Sequence, residues 1–262
     1  QPTREEVAML MRVLRKERFD LIIANTVASL SLLKRIQGLR AELACYVHEL
    51  DFSLSMYASE EDLKFLSERV NHVLVVSEKV GKVLQKRCQL PCEKVKVFPP
   101  MVELFKTSRS KQSELVRDEL GIPAEAKIVL GCGLAEWRKG TDIFVRVARK
   151  ILKKEQNVHF IWLGISSSLF SEEIKADCKM YDPDGKIHLV PVKTDAKPYF
   201  EMADVFFLSS REDPFPLVML EAASLGIPMV GFRGTGGIED FSKDLGSMLI
   251  DDLDESEAAE LI

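Results

Sequence analysis

The sequence predicts an α/β protein of two lobes, each a parallel sheet with helices on both faces, the first lobe incomplete. Short apolar runs of strand length alternate with helix-periodic stretches along the chain. A polar, proline-bounded break interrupts this alternation near residues 100 to 112. At 262 residues with 46% hydrophobic side chains, the chain exceeds the usual single domain and has enough apolar material for two modest cores. Strands separated by helices imply parallel pairing, because each crossover must return the chain to the same end of the sheet.

The opening residues, Gln1 to Glu6, have neither a basic start nor an apolar signal core, and Thr3 with Glu6 fits a helix capping box. Val7, Leu10, Met11 and Leu14 recur at helical spacing, and Asp20 to Ala24 reads as a short buried strand. The pattern continues with a helix near Ala28 to Ile36, a strand Leu43 to Val47, a helix near Glu60 to Arg69, a strand Val73 to Val76, a helix Glu78 to Arg87 and a strand Val95 to Phe98. Pro99-Pro100 stops it, and the polar, basic run Lys106 to Gln112 follows, so the expected domains are residues 1–105 and 106–262. Beyond the break, strands are expected at Ile128 to Leu130, His159 to Leu163, Ile187 to Val190, Val205 to Leu208, Met229 to Gly231 and Met248 to Ile250. Helices are expected at Thr141 to Lys153, Ser171 to Lys179, Lys197 to Ala203 and Leu217 to Leu225. The second lobe thus has strands for a sheet of ordinary size, whereas the first has few.

Charge and cysteine content narrow the function. A formal charge of -5 gives no general attraction to polyanions, which argues against a nucleic-acid partner. Five cysteines form no CxxC pair and are odd in number, which fits reduced thiols in the cytoplasm better than a disulfide framework. No apolar run approaches the ~20 residues of a membrane-spanning helix. The basic linker has a charge that suits peripheral contact with an anionic membrane.

Doubly wound sheets bind ligands outside the carboxyl ends of their strands, and two facing lobes would hold the ligand in the cleft between them. The stretch Ser209 to Gly226, SSREDPFPLVMLEAASLG, sits at such an end. Pro216 fits a first helical turn, so a helix would start there with its free N–H groups and positive dipole end outward. Glu221 projects from the apolar surroundings of Leu217, Val218, Leu220, Ala222 and Ala223, where a carboxylate needs a partner. The vicinal hydroxyls of a ribose are one such partner; the alternative is that Glu221 caps or pairs with a neighbouring lobe.

Gly131-Cys132-Gly133 ends another strand, and Arg138-Lys139-Gly140 opens the next helix. Glycines admit close backbone approach, and cations at a helix start suit a diphosphate. A solvated Arg-Lys pair on a helix-entry loop is the alternative. Asp182-Pro183-Asp184-Gly185 offers the spacing of a metal-binding acid pair, yet Pro-Asp-Gly is turn chemistry, and no metal site is expected there.

Together these residues resemble the retaining glycosyltransferases of GT-B architecture, glycosyltransferase family 4, also called group 1. The likeness is strong over residues 127 to 241 and weaker over 20 to 105. An acid, seven residues, Glu-Ala and a small-residue run ending Gly-x-Pro are met by Asp213, Glu221-Ala222 and Gly226-Ile227-Pro228. The resemblance implies that Glu221 binds the donor ribose. It implies that Asp213 and the backbone of Pro214, Phe215, Pro216 and Leu217 face the sugar, and that Lys139, with Arg138 and the Gly133 backbone, receives the diphosphate. Tyr46-Val47-His48-Glu49 resembles the family's strand-end histidine, so His48 would face the donor from the first lobe, while His72, His159 and His188 are expected to be structural. The Gly234 to Gly237 loop would offer N–H groups to the transferred sugar. Asp213 stands where the family usually has Glu, and Gly133 where it often has arginine.

The implied donor is a nucleoside-diphosphate sugar, the implied acceptor a carbohydrate or lipid-linked molecule, and no cofactor or metal is implied. The implied chemistry is front-face displacement with retention of configuration and no protein nucleophile. The family's usual glycine-rich opening turn is not among these residues, so the chain is expected to be a fragment that transfers poorly by itself. A non-catalytic nucleotide- or protein-binding module on the same scaffold is the competing interpretation; a nucleotide-sugar epimerase fits the motif less well.

Overall fold

The computed structural model describes residues 3–14, 16–35, 40–105, 110–182, 184–245 and 247–262. The chain divides into two compact units, Gln1–Pro100 and Met101–Ile262. The division falls before the expected boundary at residue 105. Phe105 already belongs to the second unit: its N–H donates to Ser224 Oγ at 3.1 Å and its ring packs edge-on against Phe200. The linker residues 106 to 109, residue Ile36 at the end of the expected second helix, and Gln1-Pro2 lie outside the described residues.

The first unit runs α1 (Arg4–Leu14), β1 (Leu21–Ala24), α2 (Leu30–Arg35), β2 (Glu42–Val47), α3 (Asp51–Tyr57), α4 (Glu60–Arg69), β3 (His72–Val75), α5 (Glu78–Cys88) and β4 (Val95–Val97). Thr3 and Glu6 form the expected capping pair, and Ser59 with Asp62 closes a full capping box on α4. All pairings are parallel in the order β1-β2-β3-β4. This monotonic order corrects the expectation of helices on both faces. Right-handed crossovers that all step the same way lie on one side of a sheet, and α2 packs on α4 and α4 on α5. Burial is uneven between the faces: Cys45, Val47, Val73 and Val75 are fully buried, while on the other face Leu21 and Ile23 are about half exposed and Ala44, beside Ile23, is buried.

The second unit runs α6 (Lys111–Glu119), β5 (Lys127–Cys132), α7 (Thr141–Leu152), β6 (Val158–Ile165), α8 (Leu169–Tyr181), β7 (Ile187–Pro191), α9 (Lys197–Glu201), β8 (Val205–Leu208), α10 (Leu217–Ser224), β9 (Met229–Phe232), α11 (Ile238–Leu245), β10 (Met248–Ile250) and α12 (Glu255–Leu261). Its parallel sheet has the order β10-β9-β8-β5-β6-β7. The chain starts centrally, winds outward through β7, then returns to pair β8 with β5. Crossovers therefore cover both faces and leave two cores. One gathers Phe144, Phe160, Trp162, Phe207 and Phe232 with α7, α8 and α12. The other gathers Val116, Phe200, Phe206 and Met219 with α6, α9 and α10. The direction reverses between β5 and β8, and their carboxyl ends are where such a sheet opens a crevice.

Phe144 touches Phe160, Trp162 and Phe207 and has no exposed surface. Gly131 exists to make room beside it, since a Cβ there would stand 2.7 Å from Trp162 and 2.8 Å from Phe144. Phe144→Ala is expected to lower unfolding free energy by about 3–5 kcal/mol through lost burial and a residual cavity. Urea unfolding of the variant measures this, and a change below ~1 kcal/mol would show that the ring is not central to the core.

Candidate functional site

The loop after β5 and the loop after β8 are joined by backbone contacts before any side chain is considered. Arg211 N–H and Glu212 N–H both donate to the Arg138 carbonyl, at 2.8 and 3.2 Å, and Ser209 Oγ donates to the Lys139 carbonyl at 3.2 Å. Gly140, at φ +67°, ends the 3-10 turn Trp137–Lys139 against Ser209; a Cβ would fall 2.0 Å from the Ser209 carbonyl oxygen. Only glycine permits that approach.

This closure brings Lys139 Nζ to 2.6 Å from Asp213 Oδ2, with side-chain exposures of 16% and 5%. Ser210 Oγ lies 3.4 Å from the same oxygen. A third loop, after β9, locks Asp213 from behind: its N–H donates to the Thr235 carbonyl at 2.7 Å and its carbonyl accepts from Gly237 N–H at 3.0 Å. The glycine loop 234 to 237 is thus held against the acid, and a Cβ on Gly236 would fall 1.8 Å from the Asp213 carbonyl oxygen. The aliphatic stem of Lys139 crosses Gly133, whose φ is +149° and whose missing Cβ would stand 3.3 Å from that stem. A lysine stem is thus laid over bare backbone.

Glu221 lies on the second turn of α10, half-buried, and among the described residues its carboxylate has no hydrogen bond or ion pair. Burial without a partner pushes its pKa up. Cys132, at the end of β5, lies within electrostatic reach of both Glu221 and Lys139: burial first, then Glu221, push its thiol up to about 12, with Lys139 opposing. The lysine and its paired acid therefore meet at the carboxyl ends of β5 and β8, and the unpaired acid stands on α10, the helix that follows β8. Pro216 immediately precedes α10 in extended conformation as its N-cap residue, and the helix begins at Leu217, where it was expected. Pro214 and Phe215 complete the passage, with the Pro214 carbonyl oxygen 2.7 Å from where a Gly237 Cβ would stand.

Arg138 does not point free. Its guanidinium donates to Glu136 Oε1 at 2.7 Å and to the Glu212 carbonyl at 3.0 Å, so it braces the two loops. A brace that sequence reasoning missed stands behind it. Arg211 grips Asp142 with two hydrogen bonds of 2.7 Å, donates to the Trp137 carbonyl at 2.8 Å, and Asp142 also accepts from Arg146 at 2.8 Å. An acid in the first turn of α7 and an arginine in the loop after β8 were the available signal.

In the first unit, His48 follows β2 with Nε2 2.9 Å from Asn25 Oδ1. Burial lowers its pKa, and Glu49 opposes that only in part. Glu49, buried, accepts from His48 N–H at 2.9 Å, Val27 N–H at 3.4 Å and the Thr26 hydroxyl. His72 pairs with Glu42 at 2.8 Å, and His159 stacks on His188 with a 2.9 Å contact between ring nitrogens. Asp182 accepts from Lys186 N–H and Ile187 N–H as a turn residue, while Pro183 lies outside the described residues. Among the described residues no helix is long and apolar enough to cross a membrane, and no group of three or more His, Cys, Asp or Glu is placed to hold a metal ion.

Comparison with known proteins gives matches over both units. A family model described as "Glycosyl transferases group 1" matches residues 126–262, and one described as "Glycosyltransferase Family 4" matches residues 3–105. An alpha-galactosylglucosyldiacylglycerol synthase of Streptococcus pneumoniae is 30% identical over 168 residues, covering 62% of this chain and 44% of the relative. A D-inositol 3-phosphate glycosyltransferase of Acidothermus cellulolyticus is 29% identical over 169 residues, covering 61% and 37%. The chain spans less than half the length of these relatives. Anabaena Alr3699/HepE, solved in complex with UDP and glucose, shares the fold with a TM-score of 0.84 at 19% identity, covering all of this chain and 73% of the other.

Although burial raises the carboxyl of Asp142, its two arginines outweigh it and hold it down to about 2, against an ordinary 3.8. A depressed pKa stabilises the fold fully above the unfolded value and is lost as pH falls through the folded one. The stability gap between the wild type and Asp142→Asn is therefore expected to be widest near neutral pH and to shrink from about pH 4 toward pH 2. Denaturant titrations at several pH values measure the gap, and one that stays constant over that window would contradict the Asp142 assignment.

Proposed function

The chain belongs to the group 1 glycosyltransferases, and on that premise we propose that its second unit holds a nucleoside-diphosphate sugar for transfer to an acceptor hydroxyl with retention of anomeric configuration. The observation that carries this is the covered Lys139–Asp213 contact that joins the loops after β5 and β8; the unpaired, half-buried carboxylate of Glu221 on the following helix supports it. Each suits a different part of such a donor. Lys139 keeps hydrogens free beyond the one directed at Asp213 and meets the diphosphate. Glu221 gains in the ribose hydroxyls the donors it lacks. Arg138 acts on the phosphate only through the loop it braces. The backbone from Pro214 to Leu217 and the glycine loop face the sugar, while Asp213, covered and taken up by Lys139, acts by holding the lysine.

In the proposed step the bond from the anomeric carbon to the phosphate oxygen breaks, and its electron pair leaves with the diphosphate. The acceptor oxygen bonds to that carbon on the same face, and its proton passes to the departing phosphate oxygen. Charge accumulates on the diphosphate, so the catalytic need is fixed positive charge there, already oriented before reaction. Asp213 supplies that orientation by holding Lys139. The reaction uses a donor substrate and an acceptor, carbohydrate or lipid-linked, and no resident cofactor or metal. UDP-glucose is the first donor to try, because it is bound in a structural neighbour of the same fold.

Lys139→Ala is expected to weaken nucleoside-diphosphate binding by about tenfold to a hundredfold, the value of a charge-assisted contact of roughly 1.5–3 kcal/mol. Glu221→Gln is expected to lose affinity for the nucleotide while a ribose-free pyrophosphate probe binds as before. Calorimetric titration with UDP, GDP and ADP reads both effects, and unchanged affinity in Lys139→Ala would contradict the diphosphate assignment.

A further inference from the structure

The first unit contains a polar cluster, separate from the β5–β8 opening, that sets the chemical form of His48. Thr26 has φ +143°, a backbone region that β-branched residues rarely adopt and that persists only where the surroundings enforce it. The enforcing group is Glu49, 7% exposed, which accepts from the Thr26 hydroxyl and from the N–H groups of Val27 and His48. One carboxylate thereby ties the loop after β1 to the loop after β2. Asn25, next to the strained residue, is delivered to the imidazole with its Oδ1 2.9 Å from His48 Nε2.

A carbonyl oxygen only accepts, so Nε2 must carry the proton in this contact. A neutral imidazole protonated at Nε2 has its lone pair at Nδ1. We propose that Asn25 is a positioning residue that fixes His48 as the Nε2–H tautomer, so that Nδ1 is left as an acceptor for a substrate hydroxyl. The tautomer follows from the loop geometry alone; the identity of the hydroxyl rests on the glycosyltransferase reading above. Burial favours the neutral ring, which keeps that lone pair available. The Tyr46 ring, 4.2 Å from the imidazole centroid, limits its rotation from one side.

The full chain labelled with 15N-histidine tests this by long-range proton–nitrogen correlation above the imidazole pKa, with His48 assigned by its loss in His48→Gln. The expected pattern is protonated Nε2 and unprotonated Nδ1 in the wild type, retention of that pattern in Asn25→Asp, and a mixture of tautomers in Asn25→Ala. A protonated Nδ1 in the wild type, or an unchanged pattern in Asn25→Ala, overturns the proposal. In transfer assays Asn25→Ala is expected to lower kcat/KM about fivefold, the effect of one hydrogen bond of ordinary strength, with Asn25→Asp restoring most of it. Because the nuclear resonance readout needs no donor, failure of the tautomer and failure of the donor assignment are separate results.

Discussion

The contact between Lys139 and Asp213 is the constraint on which the second unit's chemistry depends. Both groups are almost fully covered, and a buried ion pair costs much of its attraction in lost hydration. Its value is registration rather than net stability. The lysine comes from the loop after β5 and the acid from the loop after β8, the two strands between which the winding direction reverses. A topology that opens a crevice there leaves the loops free to diverge, and the pair, with the backbone bonds from Arg138 to Arg211 and Glu212, holds them together. Gly133, Gly140 and Gly236 each occur where a side chain would obstruct this closure.

The two acids of the candidate site, Asp213 and Glu221, stand in opposite states because of their surroundings. Asp213 is saturated by an ammonium, a hydroxyl and backbone contacts on either side. Glu221 is left without a donor in partly apolar surroundings, a state that a ligand bearing hydroxyls would relieve. The nearby Cys132 is kept a thiol by burial and by Glu221, so it adds bulk and no charge. The first unit repeats the logic with different residues, one buried carboxylate, Glu49, binding two strand-end loops so that a histidine is held in a set pose.

Much of this was legible in the sequence because strand-length apolar runs are locally defined. All ten strands lie where the apolar runs place them, within one or two residues, and β6 runs past Leu163 only because Gly164 admits an irregularity in its pairing with β7. The helices α3, α6, α11 and α12 were not anticipated. Each is short, and α6 and α12 lie in polar stretches where few side chains are buried, so periodicity carried little signal. Capping residues would have revealed two of them: Ser110 caps α6, and Asp254 accepts from Ser256 N–H and Glu257 N–H at the start of α12. The one-sided sheet of the first unit was not legible, since strand order is a tertiary property. For the candidate site, Lys139, Asp213 and Glu221 were singled out by spacing, helix-start chemistry and the family resemblance. Arg211, Asp142, Asn25 and Glu49 escaped because bracing depends on partners distant in sequence.

The account stands or falls on a single anion site at the junction of the β5 and β8 loops. A crystal structure of the chain bound to a nucleoside diphosphate tests this most directly. The prediction is a phosphate oxygen within hydrogen-bonding distance of Lys139 Nζ while the ribose hydroxyls donate to the Glu221 carboxylate. A nucleotide bound elsewhere, with Lys139 still closed on Asp213 and Glu221 still without a partner, would contradict it.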